Sequence, residues 1–413
     1  MATIKKNPIF QFSEFNDLIL GRFLFVIGLK MLNTLLGWWL FEITNNVLYI
    51  GLIGLVEVFP TIGLSLYAGH IIDMSEKRIL LLRCVFAMLF CVIMLTFLSV
   101  LIIEYTSYKS YIIGGIYLII MSIGCIRAFM SPIFNTIMPN MVTKPFLSKA
   151  TTLNSASWLF GGILGHAGAG FSIAFLGLTV SFMIIISLLI ASFCVLHLLL
   201  PKPSIISKSN IPPKKINSII NGIKFVFNDK LIFSAMSLDL FAVFFGGIVA
   251  IIPVIAKDIL HVGPIGYAWL NMSADLGSGV MLLLLLFVPI KKKQGLKLFI
   301  TVAIFGCSII IFSFSKSLLL SCLALFISGL SDTINSIIRG TIVQIKTPDT
   351  MRGRVMGINT LFTNSSNELG KLQSGVAAHV LGTMPSVLFG GVMTLLIVGI
   401  SYIKSPELRK FEY

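Results

Sequence analysis

The residues with most chemistry to offer are the charges that interrupt long apolar stretches. Glu57 stands in GLVEVFP and Asp239 in SLDLFAVFFGG, and neither has a cation near it in the sequence. A carboxylate so placed must pair across helices, face water or carry a proton, because a low-dielectric surrounding disfavours its charged form. A proton carrier needs those properties, and so does a cross-helix ion pair that only holds the fold. Asp275, in NMSADLGSG, poses the same question. Arg127, in IGCIRAFMSP, is a cation in the same position, and a carboxylate such as Asp73 would be its structural partner. His166, in ILGHAGAG, has a ring that changes charge near neutral pH, so proton coupling and a structural hydrogen bond both fit it.

A second group is set by spacing. Asp332 and Arg339 are seven residues apart, which puts them on one helix face with Ser336. Glu368 and Lys371 are three apart and can neutralise one another on a helix. Arg22 and Lys30 have no such local partner and could meet an anionic substrate or the acidic residues above. These six are the candidates for lining a substrate cavity. Trp38, Trp39 and Phe41 read as an interfacial aromatic belt rather than a substrate box. The cysteines at 84, 91, 125, 194, 307 and 322 lie in apolar runs without metal-type spacing and read as small buried hydrophobes. No metal or cofactor is expected, and no nucleotide loop or nucleophile constellation appears, so an enzyme is not expected either.

The elements that must position these residues are apolar runs. With 56% of 413 residues hydrophobic and 11% charged, the solvent for this surface is a lipid bilayer. Runs long enough to span it recur at about 17–41, 48–68, 79–103, 110–134, 151–176, 179–200, 231–256, 265–289, 296–315, 317–345, 355–381 and 385–403, or about twelve helices. The expected class is thus an all-α membrane protein. Met1 to Phe15 has no cleavage site, so the first span is expected to remain. The net charge of +15 invites nucleic acid as a partner, but its distribution removes the need. Most Lys and Arg outside the runs fall in linkers on the side of both termini, against only Lys109, Lys257 and Lys316 on the other, so both termini are expected in the cytoplasm. A Pro- and Lys-rich stretch divides the chain. The expected organisation is a cytoplasmic N-terminus (1–16), a six-helix half (17–200), a cytoplasmic linker (201–230), a second six-helix half (231–403) and a cytoplasmic tail (404–413). TLNSASWLFGGILGHAGAG around Asn154 aligns with GINTLFTNSSNELGKLQSG around Asn359, matching Asn154 to Asn359, Gly165 to Gly370 and Gly170 to Gly375. Parallel six-helix halves are one architecture that such repeats build.

Between the second and third runs lies GHIIDMSEKR, from Gly69 to Arg78. Asp73 is placed to cap the next helix, and Lys77 and Arg78 to hold an anionic membrane face. Gly, three residues, Asp, three residues and Lys-Arg resemble the loop between helices 2 and 3 of major facilitator superfamily transporters, where it acts in the conformational switch; Met74 and Glu76 depart from the pattern. Gly161, Gly165 and Gly170 read as a close-packing stripe. ILGHAGAG also resembles the fifth-helix motif of facilitator antiporters, with Gly165 and Gly170 matching and His166 in place of its Pro. Arg127 resembles the Arg of the fourth-helix motif, which the resemblance links to proton transfer, with Met130 and Ser131 replacing the motif's later residues.

LDLFAVFFGGIVAIIPVIAKDILHVGPIGYAWLNMSADLGSG and MRGRVMGINTLFTNSSNELGKLQSGVAAHVLG look like the branch containing enterobactin exporters, with macrolide-efflux-type pumps more distant. The resemblance implies a monomeric secondary transporter of the bacterial cytoplasmic membrane, exchanging a siderophore for protons by alternating access, with export ahead of import. Multidrug or macrolide efflux is the alternative, and a non-transporting membrane sensor or scaffold the reading from another class. Lys371 and Gln373 replace acidic residues of that branch, a change that would suit a polycarboxylate.

Overall fold

The computed structural model describes residues 12–104, 108–201, 215–288, 290, 292–348 and 351–412. Twelve helices carry the fold: α1 (Ser13–Thr44), α2 (Val47–Met74), α3 (Lys77–Glu104), α4 (Lys109–Ile137), α5 (Leu147–His197), α6 (Lys215–Asn228), α7 (Lys230–Gly246), α8 (Gly263–Phe287), α9 (Gln294–Phe314), α10 (Leu318–Lys346), α11 (Arg352–Leu381) and α12 (Thr383–Lys404). Among the described residues there is no strand.

Among the described residues nine helices are long and apolar enough to cross a bilayer. One of them is two spans. α5 has 51 residues, about 75 Å of helix against a hydrocarbon core of about 30 Å, and Gly177 breaks it at φ 80°, ψ 174°. That extended, positive-φ conformation is open to glycine and costly for any residue with a Cβ. Two further spans are broken or polar. α7 stops at Gly246 and resumes as Ile252–Val254 and a π-turn at Ile255–Ile259. α11 carries Asn359, Asn364, Asn367, Glu368, Lys371 and Gln373 and is too polar to pass as lipid-facing. Counting these, the bundle has the twelve spans expected. α6 is an additional helix after the linker, 14 residues long.

Chain contacts separate two compact units, Met1–Trp39 with Phe59–Ser207, and Leu40–Val58 with Lys208–Tyr413. In the first, α3 packs on α4 and α5. In the second, α10 packs on α8 and α9, while α7 packs on α11 and α12. Leu231, Ala235, Leu238 and Ala242 recur at helical spacing along α7 and meet Leu298, Val302, Ile338 and Ile342. Within a bilayer that face is held by close packing, since lipid tails are as apolar as leucine.

Three expectations change. The segment 69–78 is mostly helix: α2 runs through Met74 and α3 begins at Lys77, so the turn is Ser75 and Glu76. The cap falls to Glu76, whose carboxylate accepts from Arg78 N and Ile79 N at 3.1 Å each. Trp38, Trp39 and Phe41 are buried rather than interfacial, at 5%, 2% and 2% exposure, with Trp39 edge-on to Phe182. Two of the cysteines, Cys194 and Cys307, are exposed, which a weakly polar thiol facing lipid tolerates.

Candidate substrate and ion-coupling sites

The second unit holds a polar network in the middle of its helices. Asp239 follows Leu238 on α7 and, like it, meets α10. Its Oδ2 lies 3.3 Å from Arg339 Nη2, and its Oδ1 accepts from Asn335 Nδ2 at 2.6 Å. Asn335 and Arg339 are four apart, so one turn of α10 presents both. Arg339 Nη1 reaches on to α11, donating to Asn359 Oδ1 at 2.7 Å and Thr363 Oγ1 at 2.9 Å. Asp239 and Arg339 are each 4% exposed. Burying two ions carries a desolvation penalty that pairing alone seldom repays, so three extra hydrogen-bonding groups around them keep the pair tolerable. Among the described residues Asn335 Oδ1 and Arg339 Nε have no hydrogen-bond partner. Asp332 and Ser336 do not share the burial of Arg339: both are exposed, although Asp332 is near enough to feel the charges of Asp239 and Arg339.

The same unit contains a cation between two carboxylates. Lys371 Nζ lies 2.6 Å from Glu368 Oε2 on its own helix and 3.5 Å from Glu57 Oε2 on α2. Glu57 and Glu368 are 3% and 6% exposed. Backbone-to-backbone contact brings them together: a Cβ on Gly54 would collide with Glu368 O, and one on Gly375 would stand 2.7 Å from Gly51 Cα. The charge of Lys371 is therefore matched inside the protein, which removes the support that its basicity gave to a polycarboxylate.

In the first unit α5 lies against α1 through Gly161 and Gly165. A Cβ at Gly165 would meet Lys30 Cβ at 2.6 Å and Ile27 O at 2.7 Å, and one at Gly161 would meet Val26 at 2.8 Å. Gly170 is buried further along the same helix. This approach brings His166 Nδ1 to 2.6 Å from Thr34 Oγ1, which also contacts Lys30 O at 3.0 Å. Lys30 Nζ stands 5.4 Å from the centre of the Trp158 ring, a cation–π distance. Arg22 lies over Phe134 of α4 at 5.2 Å. Arg127 on α4 and Asp275 on α8 are half-buried. Gly69 and Asp73 fall within α2 but their side chains are outside the described ones, so the expected Asp73 partnership of Arg127 is not placed. Lys77 is buried, and Arg78 Nη2 donates to His197 O at the end of α5.

Asn335, Asn359 and Thr363 carry the network with Asp239 and Arg339, yet the sequence reading used only Asn359, as a repeat marker. Their signal was polar residues four apart, 335 with 339 and 359 with 363, inside membrane-length helices.

An all-α fold of membrane spans with buried, cross-helix ion pairs is that of a multi-pass membrane protein, and its relatives are transporters of the major facilitator type. The sequence matches the family described as transmembrane secretion effector over residues 10–413, and the chain belongs to that family. It is 21% identical over 388 residues to "Uncharacterized MFS-type transporter YfmI" of Bacillus subtilis (strain 168), a match covering 92% of this chain and 93% of that one. Among solved structures it resembles the nucleoside transporter NupG, with a TM-score of 0.72 and 14% identity over 96% of this chain and 98% of that one. A POT family transporter in complex with 5-aminolevulinic acid gives a TM-score of 0.74 at 10% identity, covering 95% and 96%. At these identities the structural likeness speaks to the fold.

Proposed function

We propose that the protein exports a siderophore across the bacterial cytoplasmic membrane in exchange for protons. Both termini are cytoplasmic, and the halves 17–200 and 231–403 rock about a midplane cavity as a monomer. Membership of a family described by secretion, over nearly the whole chain, carries the choice of export over import. The enterobactin-exporter likeness of the stretches from Leu238 and Met351 supports the substrate. Proton coupling is supported by Asp239, a buried carboxylate whose partner Arg339 has other acceptors in Asn359 and Thr363 when Asp239 takes a proton. Glu57, Asp275, Arg127 and His166 remain coupling candidates beside it, and Gly69, Asp73, Lys77 and Arg78 candidates for the switch between states. Arg22, Lys30, Asp332, Glu368 and Lys371 remain cavity candidates.

The test is siderophore in the medium and inside cells, with and without the gene, under iron limitation. Export predicts loss from the medium with retention inside. Normal secretion with failed use of added ferric siderophore would make the protein an importer, and no change in either would move the assignment to drug efflux. Coupling is read separately, as proton-driven uptake into everted vesicles: Asp239→Asn or Glu57→Gln should abolish it, and full activity in both would end the carrier assignment.

A further inference from the structure

The internal repeat lets one half serve as a reference for the other. Asn154 of α5 and Asn359 of α11 are the repeat-matched residues, 205 apart. Each hydrogen-bonds the preceding span of its own half: Asn154 Nδ2 donates to Asn135 of α4 at 3.4 Å, and Asn359 accepts from Arg339 of α10 at 2.7 Å. The first span of each half is aligned by the matched glycines, since Gly165 faces Ile27 O of α1 and Gly370 faces Val243 O of α7. Arg22 lies five residues before Ile27, and Asp239 four before Val243. Arg22 and Asp239 thus hold nearly the same level on corresponding helices, each facing the corresponding neighbour: Phe134, beside Asn135, for Arg22, and Arg339 for Asp239.

The two halves differ in how that charge is met. Asp239 has an ion pair and an amide. Arg22 is 9% exposed, and among the described residues its Nε and Nη1 are buried without a hydrogen-bond partner. The guanidinium carbon of Arg22 lies over the Phe134 ring at 5.2 Å, and Phe25, a turn further along α1, meets the same ring at 6.3 Å. An aromatic face removes water from an arginine while leaving its planar fork, which matches carboxylate and phosphate geometry, for another group. A buried cation without a counter-charge is costly to keep.

We propose that Arg22 is an anion anchor. It takes an acidic group of the transported molecule, a carboxylate or phosphate, and supplies in the first half the ion pair that the second half makes internally. The assignment rests on reading the chain as a transporter, but its test is binding by purified protein. It can therefore fail while cellular secretion stands, and the reverse.

Thermal unfolding of the purified protein is followed with citrate, inorganic phosphate or phosphatidylglycerol vesicles, at chloride-matched ionic strength. Citrate or phosphate should raise the midpoint of the unaltered protein by about 3 °C near saturation. Arg22→Met should lose that shift and should unfold at a higher temperature without anion, because an uncompensated buried charge is gone. Arg22→Lys should keep the shift with weaker affinity, a point charge replacing the fork. The proposal is overturned by no anion shift in the unaltered protein, by an anion shift that survives Arg22→Met, or by a lowered anion-free midpoint in Arg22→Met. A shift that depends on Arg22 with phosphatidylglycerol alone would make it a lipid contact and equally overturn the assignment.

Discussion

Removing either member of the Asp239–Arg339 pair should do unequal damage, and the inequality follows from the geometry. At 3.3 Å the two charges attract by about 5 kcal/mol at an effective dielectric constant near 20, against a desolvation penalty of several kcal/mol per ion. Asp239→Asn deletes the attraction and leaves an arginine that cannot lose its proton at 4% exposure. Its bonds to Asn359 and Thr363 survive, so the expected destabilisation is about 3 kcal/mol, the lower end for breaking a buried pair. Arg339→Met leaves a carboxylate that can neutralise itself by binding a proton while Asn335 still solvates it, so about 1–2 kcal/mol is expected. The double variant should recover most of the loss, because no charge is left buried. The assay is equilibrium unfolding in bicelles, arranged as a double-mutant cycle. Equal losses in both single variants, or a double variant as unstable as the sum of the two, would refute the pairing argument. Transport by the double variant separates fold from function: a stable protein that no longer transports assigns the pair a task beyond holding α7 to α10.

Other outcomes follow from the same contacts. Lys371→Ala leaves Glu57 and Glu368 facing one another without the ammonium between them, so the unfolding midpoint should fall, and adding Glu57→Gln should restore part of it. Restoration failing in that double variant would mean that Lys371 acts through other contacts. Gly165→Ala places a methyl group 2.6 Å from Lys30 Cβ and 2.7 Å from the Ile27 carbonyl, so a loss of about 1–3 kcal/mol is expected from thermal unfolding in detergent. Gly168→Ala is its control, because the nearest atom there is Met31 Sδ at 3.7 Å and little change is expected. Thr34→Val removes the hydroxyl 2.6 Å from His166 and should cost about 1 kcal/mol in the same measurement. A larger loss in transport than in stability would assign the histidine to the transport cycle.

Much of the fold is legible because a bilayer imposes one rule on every span, and length with apolarity satisfies it. The charges within spans are equally legible, since each stands out against an apolar run. Their partners are not. Asp239 finds Arg339 one hundred residues away and Glu57 finds Lys371 across a still longer stretch, through helix packing that no local pattern encodes. Local spacing was a sound guide where both partners share a helix, as with Glu368 and Lys371, and incomplete for Asp332 and Arg339. Those two share a helix and the charge of Asp239 but differ in exposure, because α10 turns one side to α7 and α11 and leaves Asp332 exposed. Trp38 and Trp39 misled for a related reason: position near a span end suggests an interface, but α1 is packed there by neighbours such as Phe182.

The polarity of α11 is the feature from which the rest can be reasoned. A helix with that composition would be unstable against lipid, so other helices must cover it, and its polar groups must be satisfied by them. Asn359 and Thr363 meet Arg339 on one side, while Glu368 and Lys371 meet Glu57 of α2 on another. Helix α11 therefore belongs to two charge networks at once, one reaching α7 through α10 and one reaching α2. A change of charge in either network alters how α11 is held. The corresponding helix of the first half, α5, meets α1 through contacts of another kind: His166 lies against Thr34, and Lys30 stands over the Trp158 ring.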